Sequence, residues 1–307
     1  MLTKSPAAAA QFIKRGGTVA FPTETVYGLG ASIVDEVAIG KIFQAKRRPA
    51  DNPLIAHISS LSQIEGLATE ITETSEKLVE RFFPGPLTIV LKKSERVPAI
   101  ATAGLDSIGI RMPGNKLAQE FITACGVPIA APSANLSGRP SPTTWQAVLE
   151  DLDGRIDCIL QGDPTEIGLE SSVVDCRNET PCILRLGAIS LDELRTVVPS
   201  TELAECDAEA VARSPGLRHK HYSPAAKVLI WRGGSIPDIS AAFIGTHQPN
   251  GAFVYTKIVE NADEYARFLF EFFRECDRRG IETIYCEEVE ETGIGAALMD
   301  RLRRAAR

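Results

Sequence analysis

No stretch of the 307 residues approaches the eighteen or so consecutive apolar residues of a membrane-spanning helix, so no partner in the bilayer is expected. The N-terminal MLTKSPAAAAQFIKRGG has too short an apolar run for a secretion signal and no small-residue cleavage site after one; it reads as an amphipathic helix. The seven cysteines (Cys125, Cys158, Cys176, Cys182, Cys206, Cys276, Cys286) are odd in number and never form a C-x-x-C pair, which disfavours both a disulfide framework and a zinc ribbon. A reducing cytoplasm is the expected location, and no resident metal site is expected. Positive charge is also in deficit: 33 Lys+Arg against 40 Asp+Glu give a net charge of −7, so bulk affinity for RNA or DNA is not expected. The familiar phosphate motifs are missing too. There is no G-x-x-x-x-G-K-[ST], and Gly28-Leu29-Gly30 lacks the third glycine of the dinucleotide fingerprint, that position being Ile33. No G-x-S-x-G elbow or H-E-x-x-H occurs, which leaves a lipase-type hydrolase or a zincin without support.

What is present is a globular composition, 44% hydrophobic and 24% charged, in a chain long enough for two domains. Over the first two hundred residues short apolar runs alternate with helical patterns. Strands are expected at 18–21, 53–58, 87–92, 107–112, 128–131, 156–160, 172–175 and 182–186. Helices are expected after the caps Asp35 and Thr74, and at 115–125 and 143–152. Several connections are short enough for hairpins, so the sheet is expected to be mixed. Periodicity fades between Val198 and Pro224. Beyond it a βαβα pattern returns, with strands at 227–231, 252–255 and 282–286 and long helices at 262–279 and 293–306. The division is therefore a domain over 1–200, a linker over 201–225 and a smaller α/β domain over 226–307.

Five segments carry chemistry-bearing residues. Phe21-Pro-Thr-Glu-Thr25-Val-Tyr-Gly-Leu-Gly30 crowds hydroxyls, a carboxylate and two glycines at the end of a strand, where α/β sheets place ligand crevices; it also reads as a turn satisfying its own backbone. Lys46-Arg47-Arg48 precedes a proline-fixed loop through Asn52 and a strand carrying His57. Such cations suit a helix C-terminus, and equally a triphosphate in a crevice. Ser107, Gly109 and Arg111 share one strand face, and Ser133 and Asn135 point the same way if the strand before them continues. In the linker, Arg218, His219, Lys220, His221 and Tyr222 stand in succession.

Together these pieces resemble the YrdC-type L-threonylcarbamoyladenylate synthases. The matching motifs are Pro22-Thr-Glu-Thr-Val-Tyr-Gly-Leu-Gly30, the K-x-R of Lys46 and Arg48, the S-x-N of Ser133 and Asn135, Gly168-Leu-Glu-Ser-Ser-Val-Val-Asp175 and Leu184-Arg-Leu-Gly187. The linker and second domain make the chain similar to the longer, two-domain form. The resemblance implies an α/β fold, a YrdC-like mixed twisted sheet with helices around a concave cavity, followed by a smaller Rossmann-like domain. It implies a reaction in which L-threonine and bicarbonate give N-carboxythreonine, whose carboxylate attacks the α-phosphorus of ATP to yield threonylcarbamoyl-AMP and pyrophosphate. A separate tRNA threonylcarbamoyltransferase uses the product on the adenosine next to the anticodon, so no stable tRNA binding is expected here.

Carried over by motif, Thr25, His57, Arg111, the main chain at Ala131 and Ser171 would hold threonine. Lys46, Arg48, Asn52, Ser107, Ser133, Asn135, Ser141 and Arg185 would hold ATP, Lys46 and Arg48 being the catalytic cations, and the linker would close the mouth through His221 or Tyr222. Positioned positive charge with Mg²⁺ supplies most of what nucleotidyl transfer needs, and no protein nucleophile is required. The magnesium would be held largely by phosphates and water, with Glu24 reaching it through water. Two rivals stand beside this reading: an RNA-binding module using the same basic concave surface, which predicts strongly salt-dependent binding without turnover, and an adenylating or carbamoyl-transfer enzyme acting on another acyl acid.

Overall fold

The computed structural model describes residues 1–204, 223–234 and 240–306. The first domain is a mixed sheet of short, buried strands: β1 (Leu2–Thr3), β2 (Val19–Phe21), β3 (Gly28–Ser32), β4 (Ile55–His57), β5 (Leu87–Lys92), β6 (Ser107–Arg111), β7 (Ile129–Ala131), β8 (Cys158–Leu160), β9 (Ser172–Asp175), β10 (Cys182–Arg185) and β11 (Glu202–Leu203). They lie in the order β1-β8-β2-β3-β7-β4-β6-β5-β9-β10-β11. Pairing mixes antiparallel neighbours, such as β2 with β3 and β5 with β6, with parallel ones, such as β4 with β6 and β5 with β9.

The longer helices around this sheet start where short polar side chains satisfy their free N–H groups. They are α1 (Pro6–Lys14), α2 (Glu36–Lys46), α3 (Glu73–Phe82), α4 (Lys116–Cys125), α5 (Trp145–Leu152) and α6 (Leu191–Val197), capped by Ser5, Asp35, Thr72, Asn115, Thr144 and Ser190. In α2, Ala38, Ile39, Ile42 and Phe43 recur at the helical period and form its buried face.

The second domain has four parallel strands, β12 (Lys227–Trp231), β13 (Ala242–Gly245), β14 (Tyr255–Ile258) and β15 (Thr283–Glu287), in the order β12-β15-β13-β14. Helices α7 (Ala262–Arg278) and α8 (Ile294–Ala305) accompany them. The core of α7, built on Leu269, Phe270 and Phe273, is continuous with Val26 and Leu169 of the first domain.

Three expectations are corrected. Thr72, not Thr74, caps α3: its Oγ1 accepts the Ser75 N–H, and Thr74 is instead hydrogen-bonded to the Thr72 hydroxyl. Gly28 to Gly30 is strand, not turn. Its glycines serve close packing, because a Cβ on Gly30 would lie 2.5 Å from Ile129 Cγ2. Glu202–Leu203, in the segment read as linker, adds a short strand beside β10. The second domain contains a strand at 242–245 that the pattern did not reveal, and the strand expected at 252–255 runs from Tyr255 to Ile258.

Candidate active site

The ends of β2, β4, β6, β7, β9 and β10 surround one hollow, lined by Thr25, Arg48, His57, Arg111, Ala131, Ser133, Ser171 and Arg185 together with Thr23, Val26 to Gly28, Ile55, Pro132 and Glu170. Sheet register does much of this assembly. His57 stands opposite Arg111 on one side and Ile129 on the other, and a bridge joins Gly28 to Ser133.

One end of the hollow is built around Arg111. Its Nη1 donates to Thr25 Oγ1 at 2.8 Å, Nη2 to Glu24 Oε1 at 2.7 Å and Nε to the Gly85 carbonyl at 3.3 Å. A guanidinium has five donors, so one N–H on each terminal nitrogen is left by these three bonds to meet a carboxylate bidentately. Burial pushes the Glu24 pKa up, but the charge and hydrogen bond of Arg111 outweigh it and hold the carboxyl below its usual range. Glu24 therefore fixes the guanidinium. Its neighbour His57 is depressed to about 3 by burial and by the charge of Arg111, so the ring is neutral near pH 7; Nδ1 lies 3.1 Å from the Ile55 carbonyl.

The other end carries Arg48 and Arg185. Arg185 donates to the Ser171 carbonyl through Nε (3.1 Å) and Nη2 (2.9 Å), which sets the polar segment before β9. The K-R-R sequence splits its cations because Arg47, the C-cap of α2, is left-handed at φ 51°; Lys46 and Arg48 are buried while Arg47 is exposed.

Lys46 does not line the hollow. Its Nζ donates to the Ser133 carbonyl, to the Asn135 carbonyl at 2.6 Å and to Asn135 Oδ1 at 3.3 Å. Burial, and then the charge of Arg48, pull its pKa well below the ordinary lysine value. Asn135 is likewise internal to its loop: Nδ2 donates to the carbonyls of Leu136 and Arg139, both at 2.8 Å, and Oδ1 accepts the Ser133 hydroxyl at 2.6 Å. Ser141 is one bond behind the wall, donating to Glu170 Oε1 at 2.5 Å. Asn52 is buried beside Arg48, whose Nη2 is 3.4 Å from its carbonyl. Ser107 shares the strand face of Arg111 but starts β6, pairing with Lys92, and is not on the wall. His221 and Tyr222 lie outside the described residues.

Sequence reasoning assigned no role to Glu170 and only a water-mediated metal contact to Glu24. Both stand within motifs quoted for the resemblance, and carboxylates among cations were the available signal.

A family model described as "Telomere recombination" (Sua5_yciO_yrdC) matches residues 11–187, and one described as "Threonylcarbamoyl-AMP synthase, C-terminal domain" matches 189–307. The threonylcarbamoyl-AMP synthase of Pyrococcus abyssi is 45% identical over 97% of this chain and 93% of that protein. The Bacillus subtilis protein of the same name is 39% identical over 98% and 92%. A crystal structure of P. abyssi Sua5 complexed with L-threonine superposes with a TM-score of 0.89 at 43% identity, covering 98% of this chain and 94% of that one. Escherichia coli YciO, at 24% identity and a TM-score of 0.56 over 62% of this chain and 92% of its own, shares the fold of the first domain. With both of its domains matched in order and full-length relatives at this level of identity, the chain belongs to the threonylcarbamoyl-AMP synthase family, in the two-domain Sua5 form.

Proposed function

We propose that this chain condenses L-threonine, bicarbonate and MgATP into threonylcarbamoyl-AMP and pyrophosphate. The observation that carries the reading is the single hollow in which a carboxylate-ready arginine, Arg111, faces the same space as two further buried arginines, Arg48 and Arg185. Threonine binds with its carboxylate on Arg111, beside Thr25, neutral His57, Ser171 and the main chain at Ala131. The triphosphate lies toward Arg48, Arg185 and Ser133. The carbamate oxygen of N-carboxythreonine attacks the α-phosphorus, the bond from that phosphorus to the bridging oxygen breaks, and pyrophosphate leaves with the electron pair. Fixed guanidinium groups offset the charge that builds on the phosphates, which is the largest contribution a protein makes to this chemistry.

Magnesium enters as part of the nucleotide substrate. Its coordination falls to the phosphates and water. Because N-carboxythreonine loses carbon dioxide readily in water, burial of its site preserves it. The product passes to a separate transferase that modifies the tRNA adenosine next to the anticodon, in the cytoplasm.

The purified chain should release pyrophosphate from ATP only when L-threonine and bicarbonate are both supplied. Equal release with L-serine, or release without bicarbonate, would contradict the proposal.

A further inference from the structure

Two arginines of the second domain are fully buried against the first, Arg274 on the loop that carries the S-x-N motif and Arg301 on Glu170, which holds the end of that loop. Arg301 of α8 donates Nε to Glu170 Oε2 at 3.0 Å and Nη2 to the Leu186 carbonyl at 2.9 Å. The other Glu170 oxygen holds the Ser141 hydroxyl, so α8 is two bonds from the end of that loop. Arg274 of α7 grips the same loop elsewhere. It donates Nη1 and Nη2 to the two oxygens of Asp151 at 3.2 and 2.9 Å, and Nη2 also reaches the Pro140 carbonyl at 2.5 Å. Asp151 in turn accepts the Leu136 N–H at 3.1 Å and Arg139 Nη1 at 2.5 Å. The return half of the loop, from Leu136 to Ser141, is thus tied to the second domain at both ends. The domains meet closely here: a Cβ on Gly168, at φ +82°, would lie 2.5 Å from the Arg267 Cα.

Charge gives Arg301 a second task. Glu170 lies on the wall of the hollow beside Ser171 and Arg185. Without a counter-cation its carboxylate would oppose an incoming triphosphate, and a carboxylate stripped of a buried partner is costly in itself.

We propose that Arg274 and Arg301 are positioning residues for ATP: the second domain braces the loop Ser133–Ser141 and neutralises Glu170, so that the nucleotide end of the hollow is formed only when the two domains are docked. This rests on the reading of the hollow as a threonine and ATP site. That reading stands or falls with the unmutated chain, the brace with the variants.

The test uses the full chain and compares KM for MgATP, KM for L-threonine and thermal midpoint in Arg301→Met, Arg301→Lys, Arg274→Met and Arg301→Met/Glu170→Gln. The expected result for Arg301→Met and Arg274→Met is a tenfold or greater rise in KM for ATP with less than a twofold change in KM for threonine. Glu170→Gln should restore most of the loss in Arg301→Met, because a neutral amide needs no counter-cation and still accepts the Ser141 hydroxyl. Arg301→Lys, which keeps the charge, tests the brace even if Arg301→Met does not fold; it should show a threefold to tenfold rise for ATP alone. An unchanged KM for ATP in Arg301→Lys and Arg274→Met, equal rises for both substrates, or no rescue by Glu170→Gln would overturn the proposal.

Discussion

Lys46 and Arg48 are two residues apart in sequence and do different work. The ammonium of Lys46 is spent on the carbonyls of Ser133 and Asn135, inside the protein, whereas Arg48 lies on the wall of the hollow. Removing the ammonium leaves buried acceptors unpaired, at about 1–3 kcal/mol each. Lys46→Ala should therefore lower the urea midpoint and ATP turnover together. Arg48→Ala should cut kcat/KM for ATP by about a hundredfold or more, as for loss of a transition-state donor, with a smaller loss of stability than Lys46→Ala, because its bonds to the Asn52 and Pro53 carbonyls are long, 3.4 Å each. Equal losses of stability in the two variants would contradict this division. His57 supplies a pH signature. Its folded pKa of about 3 lies far below the value of 6.5 for a free ring, so as pH falls below 6.5 the unfolded chain takes up a proton that the folded chain refuses. Stability is unaffected above pH 6.5 and declines toward pH 3, by up to about 2 kcal/mol at pH 5 from this group. His57→Asn should flatten that decline in denaturation curves at pH 7 and pH 5; an unchanged slope would show the ring is not held neutral.

At the scale of the element, α2 shows what sequence reveals and what it hides. Its cap Asp35 and its stripe through Ile39, Ile42 and Phe43 are plain in the pattern. Its end shows in the cations that run into Pro49, but its left-handed cap does not, because the residue there is Arg47, where glycine is usual. That substitution costs about 1 kcal/mol of backbone strain, and Arg47→Gly should raise the unfolding free energy by roughly that amount, a gain that thermal denaturation would detect and whose absence would refute the assignment of strain. The buried strands from β4 to β7 are equally plain as short apolar runs between polar turns. β3 was obscured because Gly28 and Gly30 carry no β-forming side chain; contact with Phe21 and Ile129, which no local pattern reports, explains them. Thr72 and Thr74 are chemically equivalent caps, and only the Cα path of the chain chooses between them.

For the molecule as a whole, the convergence of Thr25, His57, Arg111, Ser133, Ser171 and Arg185 on one hollow was legible only through the family resemblance, since these residues span 161 positions from Thr25 to Arg185 and no local periodicity links them. Arg274 and Arg301 were invisible even so. Each sits on an amphipathic helix rich in charge, where an arginine ordinarily faces water, and only the docked domains bury it. Both substrates are expected to share this space. A crystal structure with L-threonine and a non-hydrolysable ATP analogue bound together tests it most directly. The expected result is the threonine carboxylate on Arg111 and the triphosphate against Arg48 and Arg185, within one hollow. Threonine or nucleotide seated instead in the separate groove lined by Lys116, Glu120 and Trp145 would contradict it.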